Sequence, residues 1–467
     1  MRSIAHHELR TLIRDGRFWA SAVLFSVLVL VTLFVGLSDH RDQESTAKRI
    51  EASLREQWEN QKEKDPHAAG HFGTYIMKPS GPAGWLDPGI EPYLGSVILL
   101  EAHVRNEFEH RPAADSTTLR HLGYFSPALL LQVVAPLFVI LFSFSAFAAD
   151  RESGVLRLVL STGVKPVTLI GGKLVGTLMG TGIIVLPGLV VALFALGSSN
   201  SLDTFSRLAL LCFGYLLYFS AFACVTLAVS AFSSKAQNAL VAMILFWIFT
   251  CFILPRTISD FAASQYPIPS RAAFADRIAR ETLKGIDGHD ASDERRTPLL
   301  NATLKKYGVD KVEDLPVNFD AIALQASEEY TSSLYTREFN RVADQLEAQA
   351  SVSRAMALIA PFFAIRNWSG AVAGTDLRHQ RRFSDAAESY RQNLIKTLNQ
   401  DMVENSRTGE FGYFVDQSFW KKIEKFQYST PGWSWSLSQI WTQLGVLVLW
   451  SGVSIGICLA ASSRIRP

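Results

Sequence analysis

The sequence predicts an all-α polytopic membrane protein: six transmembrane helices and two mainly helical insertions on one side of the bilayer. Three observations carry that prediction. Six apolar runs each reach the roughly 20 residues that a bilayer-spanning helix needs. Their interiors hold almost no charge, so the 45 Lys and Arg and 43 Asp and Glu crowd into the rest of the 467-residue chain, at about the density of a soluble domain. The Lys and Arg near the run ends also fall on one side of the membrane, as expected for cytoplasmic loops.

The runs lie at about 18–37, 128–149, 167–197, 208–232, 239–258 and 437–462. Before the first, residues 1–17 carry Leu9, Leu12 and Ile13 with Arg2, Arg10, Arg14 and Arg17, the pattern of an amphipathic helix at the cytoplasmic interface. The first run (18–37) exceeds a signal-peptide core, and Val35 to His40 offers a poor cleavage site, so an uncleaved anchor is expected. Arg151, Arg157 and Lys165 follow the second run, Lys235 separates the fourth and fifth, and Arg464 and Arg466 end the chain. Both termini are then expected in the cytoplasm. Residues 38–127 and 259–435 become extracytoplasmic insertions.

The first insertion opens with a charged helical stretch, Gln43 to Lys64, and passes into Pro- and Gly-punctuated turns between His71 and Gly89. Glu101 and His103 read as a structural hydrogen-bonded pair, with catalysis the alternative. In the second insertion Phe383, Ala387, Tyr390, Leu394 and Leu398 keep helical spacing, as do Tyr335, Phe339, Val342 and Leu346. Those faces need a partner, either the other insertion or a second copy of the chain. The aromatic run Ala360 to Ser369 suits the outer-leaflet interface or a packed core. Residues 436–467 form the last transmembrane helix and its tail.

Within 128–258, which holds the second to fifth spans, the charged stretch 150–166 is too long for a plain turn. Val155, Leu158, Val159 and Thr162 recur at helical spacing, Asp150 and Glu152 suit the helix start, and Gly163 and Pro166 stop it. A short amphipathic helix along the membrane surface is expected. The wording Asp150-Arg151-Glu152-Ser153-Gly154-Val155-Leu156, Leu160-Ser161-Thr162-Gly163, then Gly172-Lys173 at the head of a span, resembles the ABC type-2 permease family, the membrane subunits of ATP-driven exporters. Leu86-Asp87-Pro88-Gly89, Leu100-Glu101-Ala102-His103 and Ala373-Gly374-Thr375-Asp376-Leu377 look like a branch with large extracytoplasmic insertions. Asp150 stands where many relatives have Glu, and Val155 where Thr is common.

The resemblance implies that 150–166 is a coupling helix, with Asp150, Arg151, Glu152, Gly154, Val155, Leu158, Val159 and Thr162 meeting a separate ABC ATPase. Two ATPase copies and a second permease, the same chain or a similar one, would complete an exporter in the lipid bilayer. The alternative within the resemblance is a transmission complex that moves its outer domains without carrying cargo. The permease would be non-catalytic, with ATP and Mg bound by the partner.

Residue chemistry narrows the choice further. The phosphate-cradling pattern Gly-x-x-x-x-Gly-Lys-Ser/Thr is absent: before Gly172-Lys173 the first glycine position is Val167, and Leu174 replaces the hydroxyl. Gly452-Val453-Ser454-Ile455-Gly456 has the form of a hydrolase nucleophile elbow but sits in an apolar run, where Gly452 and Gly456 read as a helix-packing pair. Gly172, Gly176 and Gly180 make a second such ridge. His6-His7-Glu8 lacks the second histidine of a zinc-binding helix, and the four cysteines, Cys212, Cys224, Cys251 and Cys458, all lie in spans, so no metal site is expected. With no ionisable group apparent deep in a span, ion pumping is disfavoured. Gln132, in the second span ahead of Pro136, reads as a helix-to-helix hydrogen bond. The net charge of +2 gives no reason to expect nucleic acid.

Overall fold

A computed structural model describes residues 1–114, 125–197, 201–410 and 412–465. Arg466, used above to orient the chain, lies outside them. The chain is an all-α polytopic membrane protein with six helices long and apolar enough to cross a bilayer.

The amphipathic start is α1 (Arg2–Arg14). It is followed by α2 (Gly16–Glu59), a single helix of 44 residues that joins the first span to the charged stretch after it. At 1.5 Å per residue it is about 66 Å long, roughly twice a hydrocarbon core. Nothing between Leu37 and Gln43 stops a helix, and the Glu44–Lys48 pair at 2.6 Å supports the polar half.

The turn-rich segment forms α3 (Pro66–Phe72), with Asp65 accepting from the Ala68 N–H at 2.9 Å and Pro66 preset for the first turn. An antiparallel pair follows, β1 (Thr74–Met77) and β2 (Val97–Leu100), with Thr74 opposite Leu100.

The remaining spans are α4 (Pro127–Glu152), α6 (Pro166–Gly197), α7 (Leu202–Phe232), α8 (Ala236–Gln265) and α15 (Trp433–Ala461), with the short α5 (Val155–Ser161) between α4 and α6. Helix α7 is the central post, packed by α15, α4, α6 and α8. The second insertion supplies α9 (Arg271–Thr282), α10 (Thr297–Tyr307), α11 (Phe319–Met356), α12 (Pro361–Ala373), α13 (Leu377–Asn405) and α14 (Gln417–Lys422).

The aromatic run takes the core alternative, not the interface. Helix α12 is buried among α7, α11 and α15, and its Trp368 donates to the Leu210 carbonyl at 3.1 Å. A side chain at Gly214 would meet the Trp368 indole at 2.4 Å, so that crossing needs a glycine. A helix apolar on nearly every face is a core helix.

The two insertions fold into one another. Phe383 and Ala387 of α13 pack on Ile76, Ile98 and Leu100, while Leu394 and Leu398 pack on Trp58, Ala69 and Ala102. The predicted face of α13 is therefore closed by the first insertion. On α11 the predicted residues Tyr335, Phe339, Val342 and Leu346 are only half-buried. Its deeper face carries polar residues, Glu328, Ser332 and Glu338 among them.

Candidate functional site

The segment 150–166 is reached through a helix that is interrupted twice. Pro136 has no N–H to give the Gln132 carbonyl four residues earlier, and the helix widens into a π-type turn over Leu130–Val134. Tyr218 of α7 donates its hydroxyl to that freed carbonyl at 2.8 Å. The Gln132 side chain donates to the Tyr215 hydroxyl at 3.2 Å, so the expected helix-to-helix bond is present. After Ser143 the chain turns and restarts at Ala148, where the N–H groups of Phe147 and Ala148 donate to Ser230 Oγ at 3.0 and 3.2 Å.

The next residues grip the turn between α7 and α8 from both sides. Arg151 donates to the Ser233 and Ala231 carbonyls at 2.6 and 2.8 Å, which have no partner within their own helix end. Glu152 Oε1 accepts from the Ala236 N–H at 3.3 Å, where a helix start favours negative charge. Gly154 then adopts φ 79°, as does Gly163 at the far end of α5. No atom would obstruct a side chain at either place, so glycine is required by the backbone conformation alone.

The predicted apolar stripe divides. Leu156, which lies outside it, is the residue that α5 buries, against Phe147, Leu169, Ile170 and Leu227. Val159 is half-buried, whereas Val155 is 41% and Leu158 69% exposed, and Thr162 faces outward. The helix sits about one residue further round than the spacing suggests. Two branched apolar side chains are thereby left on the surface.

A buried ion-pair cluster holds this region to the N-terminus. Lys173 of α6 reaches Asp150 Oδ2 at 3.0 Å and also bonds Glu8 of α1. The third predicted span thus does contain a buried charge, compensated by two carboxylates. The glycine ridge of α6 lets α1 approach. Side chains at Gly172, Gly176 and Gly180 would meet Ile4 at 2.5 Å, Glu8 at 2.5 Å and Leu12 at 3.0 Å.

Residues 111–273, which include the second to fifth spans and the whole of segment 150–166, match the family model described as ABC-2 family transporter protein. Over these residues the chain is similar to the ABC-2 permease family. Residues 271–429 of the permease match a second model, described only as a domain of unknown function, DUF3526, and correspond to most of the second insertion. No curated protein matches the chain. Members of the ABC-2 family are normally non-catalytic membrane subunits that associate with an ABC ATPase.

The other predicted packing pair behaves differently. Gly452 and Gly456 of α15 have nothing within 4 Å of a side-chain position, because α15 turns Ile440, Leu447, Ser451, Ser454 and Cys458 to the bundle instead. They make no close packing among the described residues. Ser454, the hydrolase alternative, is fully buried within a continuous helix.

Sequence reasoning missed Leu156, Ser230 and the pairing of Lys173 with Glu8. The signal for Lys173 was a lone cation just inside an apolar run, which is costly unless paired. The Glu101–His103 pairing fails: Glu101 accepts from Asn106 at 2.8 Å, while His103 Nδ1 lies 3.1 Å from Glu328.

Proposed function

We propose that this permease is the membrane subunit of an ATP-driven exporter in a bacterial inner membrane, with α5 as its coupling helix. The supporting observation is a short helix with outward-facing Val155 and Leu158, bounded by charged residues that connect it to the other helices. Asp150 links it to α6 and α1, and Arg151 and Glu152 link it to α7 and α8. A push received on α5 would reach four elements at once. The basic residues around 2–17, 151–165 and 235 support a cytoplasmic position for both termini and for α5, with both insertions outside.

In this reading two ATPase subunits bind ATP and Mg below a pair of permeases, either two copies of this chain or this chain with a similar one. Closure of the ATPases would drive α5, and α4 and α6 would carry the stroke to a path at the permease interface. Glu152→Ala and Gly154→Val should each weaken ATPase co-purification and abolish transport while the subunit stays inserted. Unchanged co-purification and transport in both variants would refute the assignment.

One observation favours a second reading, a transmission complex that works on envelope partners. Helix α2 continues without a break from the bilayer into the insertions, and α12 of the second insertion is buried in the transmembrane core. Movement of the bundle would then reach the outer body through rigid connections. Reconstituted movement of a cargo across the membrane favours the exporter; ATPase-dependent motion of the insertions without cargo favours transmission.

A further inference from the structure

Four histidines distant in sequence converge in the insertion body. His67 and His71 are four residues apart on α3, and so on one helix face. His103 follows β2, held at φ 65°, and His289 comes from the loop between α9 and α10 of the other insertion. Their ligand nitrogens all lie within 4.8 Å of one another. The Nε2 atoms of His103 and His67 are 3.2 Å apart, those of His67 and His289 3.2 Å, and those of His71 and His289 3.3 Å. A tetrahedral ion with metal–nitrogen bonds of about 2.0–2.1 Å separates its ligand nitrogens by about 3.3 Å.

The hydrogen bonds behind the rings fix which nitrogen carries the proton. The Glu329 carboxylate accepts from Gln325 Nε2 at 2.9 Å, and Gln325 Oε1 accepts from Asn399 Nδ2 at 3.0 Å. Asn399 Oδ1 must then accept from His67 Nδ1, at 2.8 Å, which leaves Nε2 with a lone pair. His103 turns its Nδ1 to Glu328 at 3.1 Å, and Glu328 is itself fixed by Arg391 at 2.5 Å. With both Nδ1 atoms donating, the facing Nε2 atoms at 3.2 Å present lone pair to lone pair. A cation between them removes that repulsion. Carboxylate and carbonyl acceptors behind metal-bound imidazoles are the usual orienting arrangement.

We propose that His67, His71, His103 and His289 bind one divalent transition-metal ion, zinc by its tetrahedral spacing, and that this ion clasps the two insertions together. Imidazole donors select zinc and its neighbours over calcium or magnesium, which prefer oxygen. Two of the four rings, His71 and His289, are exposed, so an ion can reach the site from solvent. The proposal stands on the insertion body alone and is independent of the coupling assignment.

The test uses the full chain, purified without a polyhistidine tag, stripped with a chelator and reloaded with zinc. About one zinc per chain should be retained, calcium and magnesium should not, and zinc should raise the melting temperature. Cobalt should give the intense visible bands of a tetrahedral site. His71→Ala and His289→Ala replace exposed side chains and should keep the metal-free melting temperature. Each should lose the retained zinc and the zinc-dependent rise. Failure of the folded wild-type chain to retain zinc, or retention by both variants equal to wild type, would overturn the site.

Discussion

The two ends of this permease use charge in opposite ways. In the insertion body Arg391 is almost inaccessible, yet it is bonded to Glu328, Glu388 and Ser332 together, and Arg105 stands beside Glu388 and Ser384. These buried charges meet partners from the same body, and the apolar face of α13 closes on the first insertion. At the α5 end Lys173 has two carboxylates that reach toward water, and α5 leaves Val155 and Leu158 uncovered. One end is finished by folding. The other keeps a surface that the chain itself does not cover.

The largest effect that would sharpen this contrast is expected from Arg391→Met. It leaves Glu328 and Glu388 buried without their cation, a loss of roughly 3–5 kcal/mol for a broken interior pair. Thermal melts and protease sensitivity should show the insertion body loosened while ATPase association persists. Equal disturbance of both functions would break the contrast. Lys173→Met should cost less, roughly 1–3 kcal/mol, because Glu8 and Asp150 can turn to solvent. Its signature is functional: ATPase association or its stimulation should fall while the insertion body melts as before.

The smallest effect is expected where the insertions meet the bundle. Asp376 caps α13 at the His379 N–H and bonds the His379 ring, whose other nitrogen contacts Ser436 of α15. Burial raises the Asp376 pKa, but the His379 bonds outweigh it and hold the carboxyl below the usual range. A folded pKa lower than the unfolded one means stability present above the ordinary Asp value near 3.9 and lost as pH falls through the folded value. Asp376→Asn should therefore cost roughly 1 kcal/mol at neutral pH. The gap between the two melting curves should narrow on acidification; a constant gap would assign the effect to packing.

Much of the fold was legible because the signals were periodic. The six apolar runs, the α13 face and the short helix α5 with its stop at Gly163 and Pro166 follow from spacing and turn chemistry. Where the sequence fell short, the deciding contact came from a distant segment. The single-residue rotation of α5 depends on which pocket Leu156 finds between α4, α6 and α7. The burial of α12 depends on Gly214, some 150 residues earlier in the chain, making room for Trp368. The four histidines lie in three separate segments, and only the pair four residues apart on α3 left a mark that periodicity could find.

The central claim is that α5 is the surface on which an ATPase acts. A photo-crosslinking residue at Leu158, compared with one at Trp441 on the exposed face of α15, tests it most directly in membranes containing the cognate ATPase. The account predicts ATPase captured from position 158, with a yield that changes when ATP is added, and none from position 441. Absence of ATPase at 158 with capture elsewhere on the same folded chain would contradict it.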